Sequence, residues 1–156
     1  MKYAALLRSI SPLNPNMRNE KLRGVFESLG FKNVRTVISS GNVLFETGRR
    51  DKKALADSIE QALSARLGFK SAAIIRSLPE LHKLVDADPF KGNSDIPAAR
   101  LVVMFLKSGG EEFGQVDETR NKTPDFMTEM EKKHGKENTT RTWKTVLRIL
   151  NKLGES

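Results

Sequence analysis

Cysteine is absent from the 156 residues. That excludes disulfides, thiolate nucleophiles and any zinc or iron–sulfur centre held by thiolates. Histidine is nearly as scarce. His82 and His134 lie far apart and neither has a second ligand at i+4, so no metal site is expected. No apolar run approaches the roughly 20 residues of a membrane helix. The stretch Met1 to Arg8 has too short an apolar run for a signal peptide, with no small-residue cleavage site after it. The expectation is a cytoplasmic protein with no membrane contact. No Walker loop, dinucleotide fingerprint or catalytic-dyad spacing occurs, so no catalytic residue and no cofactor is assigned. The first half also lacks acid. Residues 1–76 hold 14 Lys and Arg against 6 Asp and Glu, whereas residues 77–156 hold 13 of each. A basic half joined to a neutral half points to an anionic partner, nucleic acid above all. A basic surface kept for solubility is the plain alternative.

What is present is a regular alternation of elements. Lys2 to Leu7 fits a buried strand. Pro12 and Pro15 break the following loop, and Asn16 is placed to cap a helix carrying Leu22, Val25, Phe26 and Leu29, with Gly30 as its stop. Val34 to Phe45 reads as two strands joined by a turn at Ser39-Ser40-Gly41-Asn42. That turn is either a hairpin whose hydroxyls bond their own backbone or a nest of N–H groups for an anion. Val37 and Leu44 are apolar on the face that a one-sided sheet would leave wet, so the second half of the chain, or a partner, should cover it. Asp51 caps a second helix with Leu55, Ile59, Leu63 and Leu67 inward, and Ser71 to Arg76 is a further strand. The order is β-α-β-β-α-β, which is the ferredoxin-like arrangement over residues 1–76.

Residues 77–156 read as a smaller α+β subdomain. Ser77 and Glu80 have capping-box spacing at a helix start. Leu101 to Leu106 is apolar throughout, a strand buried on both faces. Ser108 to Lys122 is polar and Gly-rich and reads as a mobile loop, and Thr123-Pro124 opens a helix that ends at Gly135. Thr139 and Thr140 are placed to cap a last, amphipathic helix. On it Trp143, Val146, Leu147 and Leu150 fall on one side, opposite Arg141, Lys144, Arg148 and Lys152. This stripe is either a phosphate track or a solvated face. Trp143 is either a core anchor or a base-stacking platform. Phe45 is the only strand aromatic near the hairpin, which counts against an RNA-recognition domain of the usual kind.

Two stretches are familiar in combination. One is Tyr3 to Arg8, Leu22 to Phe31, Asn33-Val34-Arg35-Thr36 and Ser40-Gly41-Asn42-Val43. The other is Glu131-Lys132-Lys133 with Thr139-Thr140-Arg141, Trp143 and Thr145-Val146. Together they resemble a widespread bacterial family of uncharacterised proteins, domain-of-unknown-function (DUF) family 1697. The resemblance implies a ferredoxin-like first subdomain, a second α+β subdomain, a cytoplasmic setting and no established activity. Members usually carry a Gly-rich loop after the first strand, where this chain has Ser9 and Ser11-Pro12-Leu13-Asn14-Pro15. They usually place Asn on both sides of the tryptophan, where this chain has Thr142 and Lys144.

The reading is therefore an α+β protein acting as a non-enzymatic anion- or phosphate-binding module. Arg8, Ser39, Ser40, Asn42, Thr140, Arg141, Trp143 and Lys144 are its candidate ligand-binding residues. Its partner is nucleic acid or another phosphate-bearing ligand. Two rivals stand beside it. One is a small enzyme acting on a phosphorylated substrate, its acidic or hydroxyl site assembled from both subdomains and tested at Asp86; Asp86, Asp88 and Asp95 are either a magnesium set or, at Asp88-Pro89, a plain turn and helix stop. The other is an interaction scaffold, homodimeric through the sheet face that carries Val37 and Leu44.

Overall fold

β1 (Lys2–Leu7) holds an inner position in a four-stranded antiparallel sheet, in the order β2-β3-β1-β4, with β2 (Lys32–Thr36), β3 (Asn42–Glu46) and β4 (Ala73–Ser77). The computed structural model describes residues 1–11, 13–38, 41–92, 95–115, 132–133 and 137–155. α1 (Asn19–Ser28) links β1 to β2, and α2 (Lys52–Leu67) links β3 to β4. This order and pairing make the ferredoxin-like βαββαβ arrangement. A second antiparallel sheet, in the order β6-β5-β7, comprises β5 (Leu101–Leu106), β6 (Glu111–Gln115) and β7 (Asn138–Thr142). α3 (Leu78–Asp86) follows β4, and α4 (Trp143–Gly154) follows β7.

Period-2 alternation on the first sheet feeds two separate cores. Tyr3, Ala5, Leu7, Val43, Phe45 and Ile75 face α1 and α2, where Leu22, Phe26, Leu55 and Ile59 complete one cluster. Phe45 stacks on Phe31 at 4.5 Å and on Tyr3 at 5.6 Å between ring centroids. The intervening Ala4, Leu6, Leu44 and Ile74 face the other way. They pack with Leu81 and Leu84 of α3, Val103 and Phe105 of β5, and Val146, Ile149 and Leu153 of α4. Burying one such leucine or phenylalanine contributes about 1.5–3 kcal/mol. Val37 and Leu44 both lie in this second cluster. The chain covers its own sheet face there, which overturns the scaffold reading: no open apolar surface is left at those two residues for a partner.

Local signals hold where a cap or stop defines them. Asp51 Oδ1 accepts from the Ala54 N–H at 3.1 Å and starts α2, and Gly68 ends it at φ 76°. Ser77 and Glu80 form a reciprocal capping box at α3. Elsewhere the boundaries move. Asn14, not Asn16, is the cap, and it serves a short 3-10 turn over Pro15–Met17, so α1 begins only at Asn19. The hairpin turn sits earlier than expected: Ile38 leaves the strand at φ 59°, and Asn42 is the first residue of β3 and fully buried. Glu111–Gln115, expected within a loop, forms β6 against β5. Residues 116–122 of that loop lie outside the described residues, as does the expected helix from Thr123 to Gly135 apart from Lys132 and Lys133. Thr139 and Thr140 are strand residues. Thr142 caps α4, accepting from the Thr145 N–H at 3.2 Å. Starting there, α4 turns Val146, Ile149 and Leu153 inward and leaves Leu147 39 % exposed.

Candidate functional site

Four of the sequence-predicted residues, Arg8, Asn42, Thr140 and Arg141, meet where the two sheets join. β7 runs past the end of β1 and the start of β3. There Arg141 Nε donates to Asn42 Oδ1 at 2.6 Å. Its Nη1 donates to Thr139 Oγ1 at 2.5 Å and the Thr140 carbonyl at 2.8 Å, and its Nη2 to the Leu7 carbonyl at 2.9 Å and the Gly41 carbonyl at 3.4 Å. A guanidinium has five N–H donors, and these bonds engage all of them. Asn42 Nδ2 in turn donates to the Val37 carbonyl at 2.9 Å, closing the hairpin. Gly41 is required beside it. Its φ is 84°, and a Cβ there would meet Ile10 Cγ1 at 2.7 Å and the Leu7 carbonyl oxygen at 3.1 Å. Arg8 joins the same seam by donating from Nη1 to the Asn138 carbonyl at 2.5 Å. Arg141 is only 9 % exposed, and burial pushes its guanidinium down to about 10.

The exposed basic corner expected around Arg141 is therefore corrected. Arg141 belongs to a strand, not to the outer face of the last helix, and its donors clamp β7 to β1 and β3. Thr140 lies in the same strand and adds its main-chain carbonyl to the clamp. Trp143 and Lys144 stand apart from this network. Trp143 opens α4 with its ring edge-on to Phe90 at 5.1 Å, and Phe90 meets Phe113 edge-on at 5.7 Å, so it anchors the second core. Lys144 beside it is exposed. Ser39 and Ser40 lie outside the described residues, as does His134. Among the described residues no group of three His, Cys, Asp or Glu is placed to hold a metal ion.

A cleft of about 580 Å³ opens at the β4 edge of the first sheet, between the first turns of α2, the outer edge of β4, the turn after β5 and the start of β7 at Asn138. Lys52, Lys53, Arg76 and Lys107 bring four cations to its lining, against the carboxylates of Asp57, Glu80 and Glu137. Lys52 Nζ reaches Glu80 Oε2 at 2.7 Å across the mouth. Burial pushes the Glu80 carboxyl up. The Lys52 hydrogen bond, the Ser77 N–H and the Lys52 charge outweigh it and hold the group below its ordinary value. Arg76 is 5 % exposed. It pairs with Glu111 through Nε at 3.1 Å, donates from Nη2 to the Leu106 and Gly110 carbonyls at 2.9 Å each, and lies 5.6 Å from the Phe105 ring centroid. Lys107 pairs with Glu60. Lys53 is exposed and has no partner among the described residues. Arg49 and Arg50 stand exposed immediately before α2.

Sequence reasoning missed this cleft. The run Arg49-Arg50-Asp51-Lys52-Lys53 at the start of a capped helix was its one legible signal. Arg76 and Lys107 arrive from distant segments, and no spacing connects them.

Among the described residues, no helix is long and apolar enough to cross a membrane. The chain is similar over its whole length to a solved structure described as conserved bacterial protein SP0830 from Streptococcus pneumoniae. The two share 18% sequence identity at a TM-score of 0.77, over 99% of this chain and 98% of that one. That likeness establishes a shared fold. No curated protein matches the chain. A family model described as protein of unknown function (DUF1697) matches residues 1–134, which takes in the whole first sheet, the cleft's α2, β4 and 107–109 lining, and stops short of β7 and α4. The chain belongs to the DUF1697 family of proteins of unknown function.

Proposed function

We propose that the protein is a non-enzymatic module that binds a phosphate-bearing ligand, and that the phosphate lies in the cleft between α2 and β4. The supporting observation is a difference in spare donors. The guanidinium of Arg141 is consumed by protein acceptors at the seam, whereas the cleft presents Lys52 and Lys53 on an exposed rim. A lysine ammonium carries three rotatable donors on a flexible stem, so one bond from Lys52 to Glu80 leaves others for a ligand. Both lysines stand in the first turn of a 16-residue helix, where the dipole favours negative charge. The volume lies within the usual range for a small ligand, about 300–1,000 Å³. A long stretch of nucleic acid is the weaker candidate.

The test is a titration with pyrophosphate, read by the amide resonances of Lys52, Lys53, Ser108 and Gly109. Saturable shifts at about millimolar concentration, abolished by Lys52→Glu with Lys53→Glu, are the expected result. Silence at those amides would sink the cleft. Single-stranded RNA is the control: salt-steep binding that survives the double reversal would move the anionic surface elsewhere.

A further inference from the structure

α2 runs beside the outer edge of β4, and the cleft is only the first part of what lies between them. Helical spacing puts Lys53, Asp57, Gln61 and Ser64 along one face of the helix. A second hollow of about 380 Å³ adjoins the cleft. Glu60, Gln61, Ser64, Lys70 and Ser71 line it, and Glu137 borders both hollows. Where they meet, Glu60 accepts from Lys107 and from the Ala73 N–H at 2.8 Å, tying the helix to the strand. The result is a groove whose character changes along its length. Its head carries the ammonium groups of Lys52 and Lys53, and its middle the carboxylates of Asp57, Glu60 and Glu137. Its far end carries the amide of Gln61, the hydroxyl of Ser64 and the ammonium of Lys70. Asp57, Gln61, Ser64, Lys70 and Glu137 are exposed, and none of their side chains has a partner among the described residues. The eight residues from Lys53 to Gln61 rise about 12 Å along the helix axis.

We propose that the ligand of this groove is a sugar phosphate, with its phosphate on Lys52 and Lys53 and its hydroxyls over the middle and far end. The inference rests on the reading of the cleft as a phosphate site. Two features carry it. The first is the order of charge. Three carboxylates follow the lysines, so a second anionic group placed there would meet like charge. A nucleic-acid strand, which repeats its phosphates, fits such a groove worse than a ligand charged at one end. The second is hydrogen-bond chemistry. An ionised carboxylate only accepts, an ammonium only donates, and an amide and a hydroxyl do both. A ligand hydroxyl can answer each of them without adding charge, so a row of hydroxyls on one stem complements this lining. A phosphorylated hexose with a hydrogen bond at each end is long enough to reach from Lys53 to Gln61. Among the described residues, no aromatic ring lines either hollow, so a nucleobase would find no stacking partner there.

The experiment uses the full chain with inorganic phosphate, the monophosphates of glucose, fructose and ribose, and phosphoethanolamine. Calorimetry gives the affinities, and amide resonances report the place. At least one sugar phosphate should bind about tenfold more tightly than phosphate, the value of one or two hydrogen bonds. It should shift the amides of Gln61 and Ser64 as well as those of Lys52 and Lys53. Phosphoethanolamine offers a phosphate and a cation without the row of hydroxyls, and should bind less tightly than that sugar phosphate. Gln61→Ala with Ser64→Ala, at exposed helix positions where alanine preserves the helix, should erase the sugar's advantage. The inference is overturned, and the cleft remains an anion site, if no sugar phosphate binds more tightly than phosphate, if phosphoethanolamine matches the best of them, or if the double variant is indifferent. Binding of neither phosphate nor any sugar phosphate would overturn both.

Discussion

The seam and the cleft are both rich in cations, and they use them in opposite ways. At the seam, Arg141 spends every donor on protein oxygens and is almost fully buried. In the cleft, Lys52 and Lys53 are exposed, and Lys53 is bonded to nothing among the described residues. A basic residue marks a binding surface only while it has donors to give. Counting charge along a sequence does not register that condition, and the +8 net charge therefore says little about location.

The comparison breaks most violently at the apolar layer beneath the seam. Leu44 is fully buried between the first sheet and the second half of the chain. Leu44→Lys would place an unpaired ammonium there. It should cost more than about 4 kcal/mol and unfold the protein, which urea denaturation followed by circular dichroism would register. Folded, monomeric variant protein would mean that this face opens to solvent. The seam itself comes next. Arg141→Ala leaves Asn42 Oδ1 and the Leu7 carbonyl without their donor and should destabilise by about 3 kcal/mol, with pyrophosphate affinity per folded molecule unchanged. Loss of affinity at full stability would return Arg141 to the ligand.

The smallest expected effect sharpens the cleft. Glu80 competes with any anion for Lys52, and glutamine preserves a capping box. Glu80→Gln should therefore tighten pyrophosphate binding about threefold. A weaker or unchanged affinity would show that Lys52 does not reach the ligand. The same variant has a stability signature. The folded Glu80 carboxyl is held below its ordinary range, so its contribution is present above the unfolded value and lost as pH falls through the lower, folded one. Replacing it should flatten the acid limb of a stability-versus-pH curve in that window.

Much of the fold was legible because its signals are local. Asp51, Gly68 and the Ser77–Glu80 pair each act within a few residues, and each stands where the pattern puts it. The apolar Val37 and Leu44 correctly announced a sheet buried on both sides. The last quarter misled for a physical reason. Thr139 and Thr140 are β-branched and favour a strand, but their polarity and the amphipathic run after them read as helix caps, a role that falls to Thr142. Extending the helix backward by a few residues put Arg141 on its outer face, whereas a strand register turns it into the seam opposite Val103. Asn42 reads as a turn residue because asparagine tolerates turns. Its burial depends on Arg141, 99 positions away. The cleft was hidden for the same reason, being assembled from segments that no periodicity links.

The aromatic residues pack the two cores, and their distribution makes the protein its own two-channel reporter. The single tyrosine, Tyr3, is stacked on Phe45 in the core beneath α1 and α2, and the single tryptophan, Trp143, leans on Phe90 in the other core. Each chromophore therefore watches one half of the chain without labelling or mutation. Coincident loss of tyrosine and tryptophan signals during denaturation would mean that the Arg141 clamp and the shared sheet make the halves one cooperative unit. A tryptophan transition that runs ahead would mean that the second sheet lets go first.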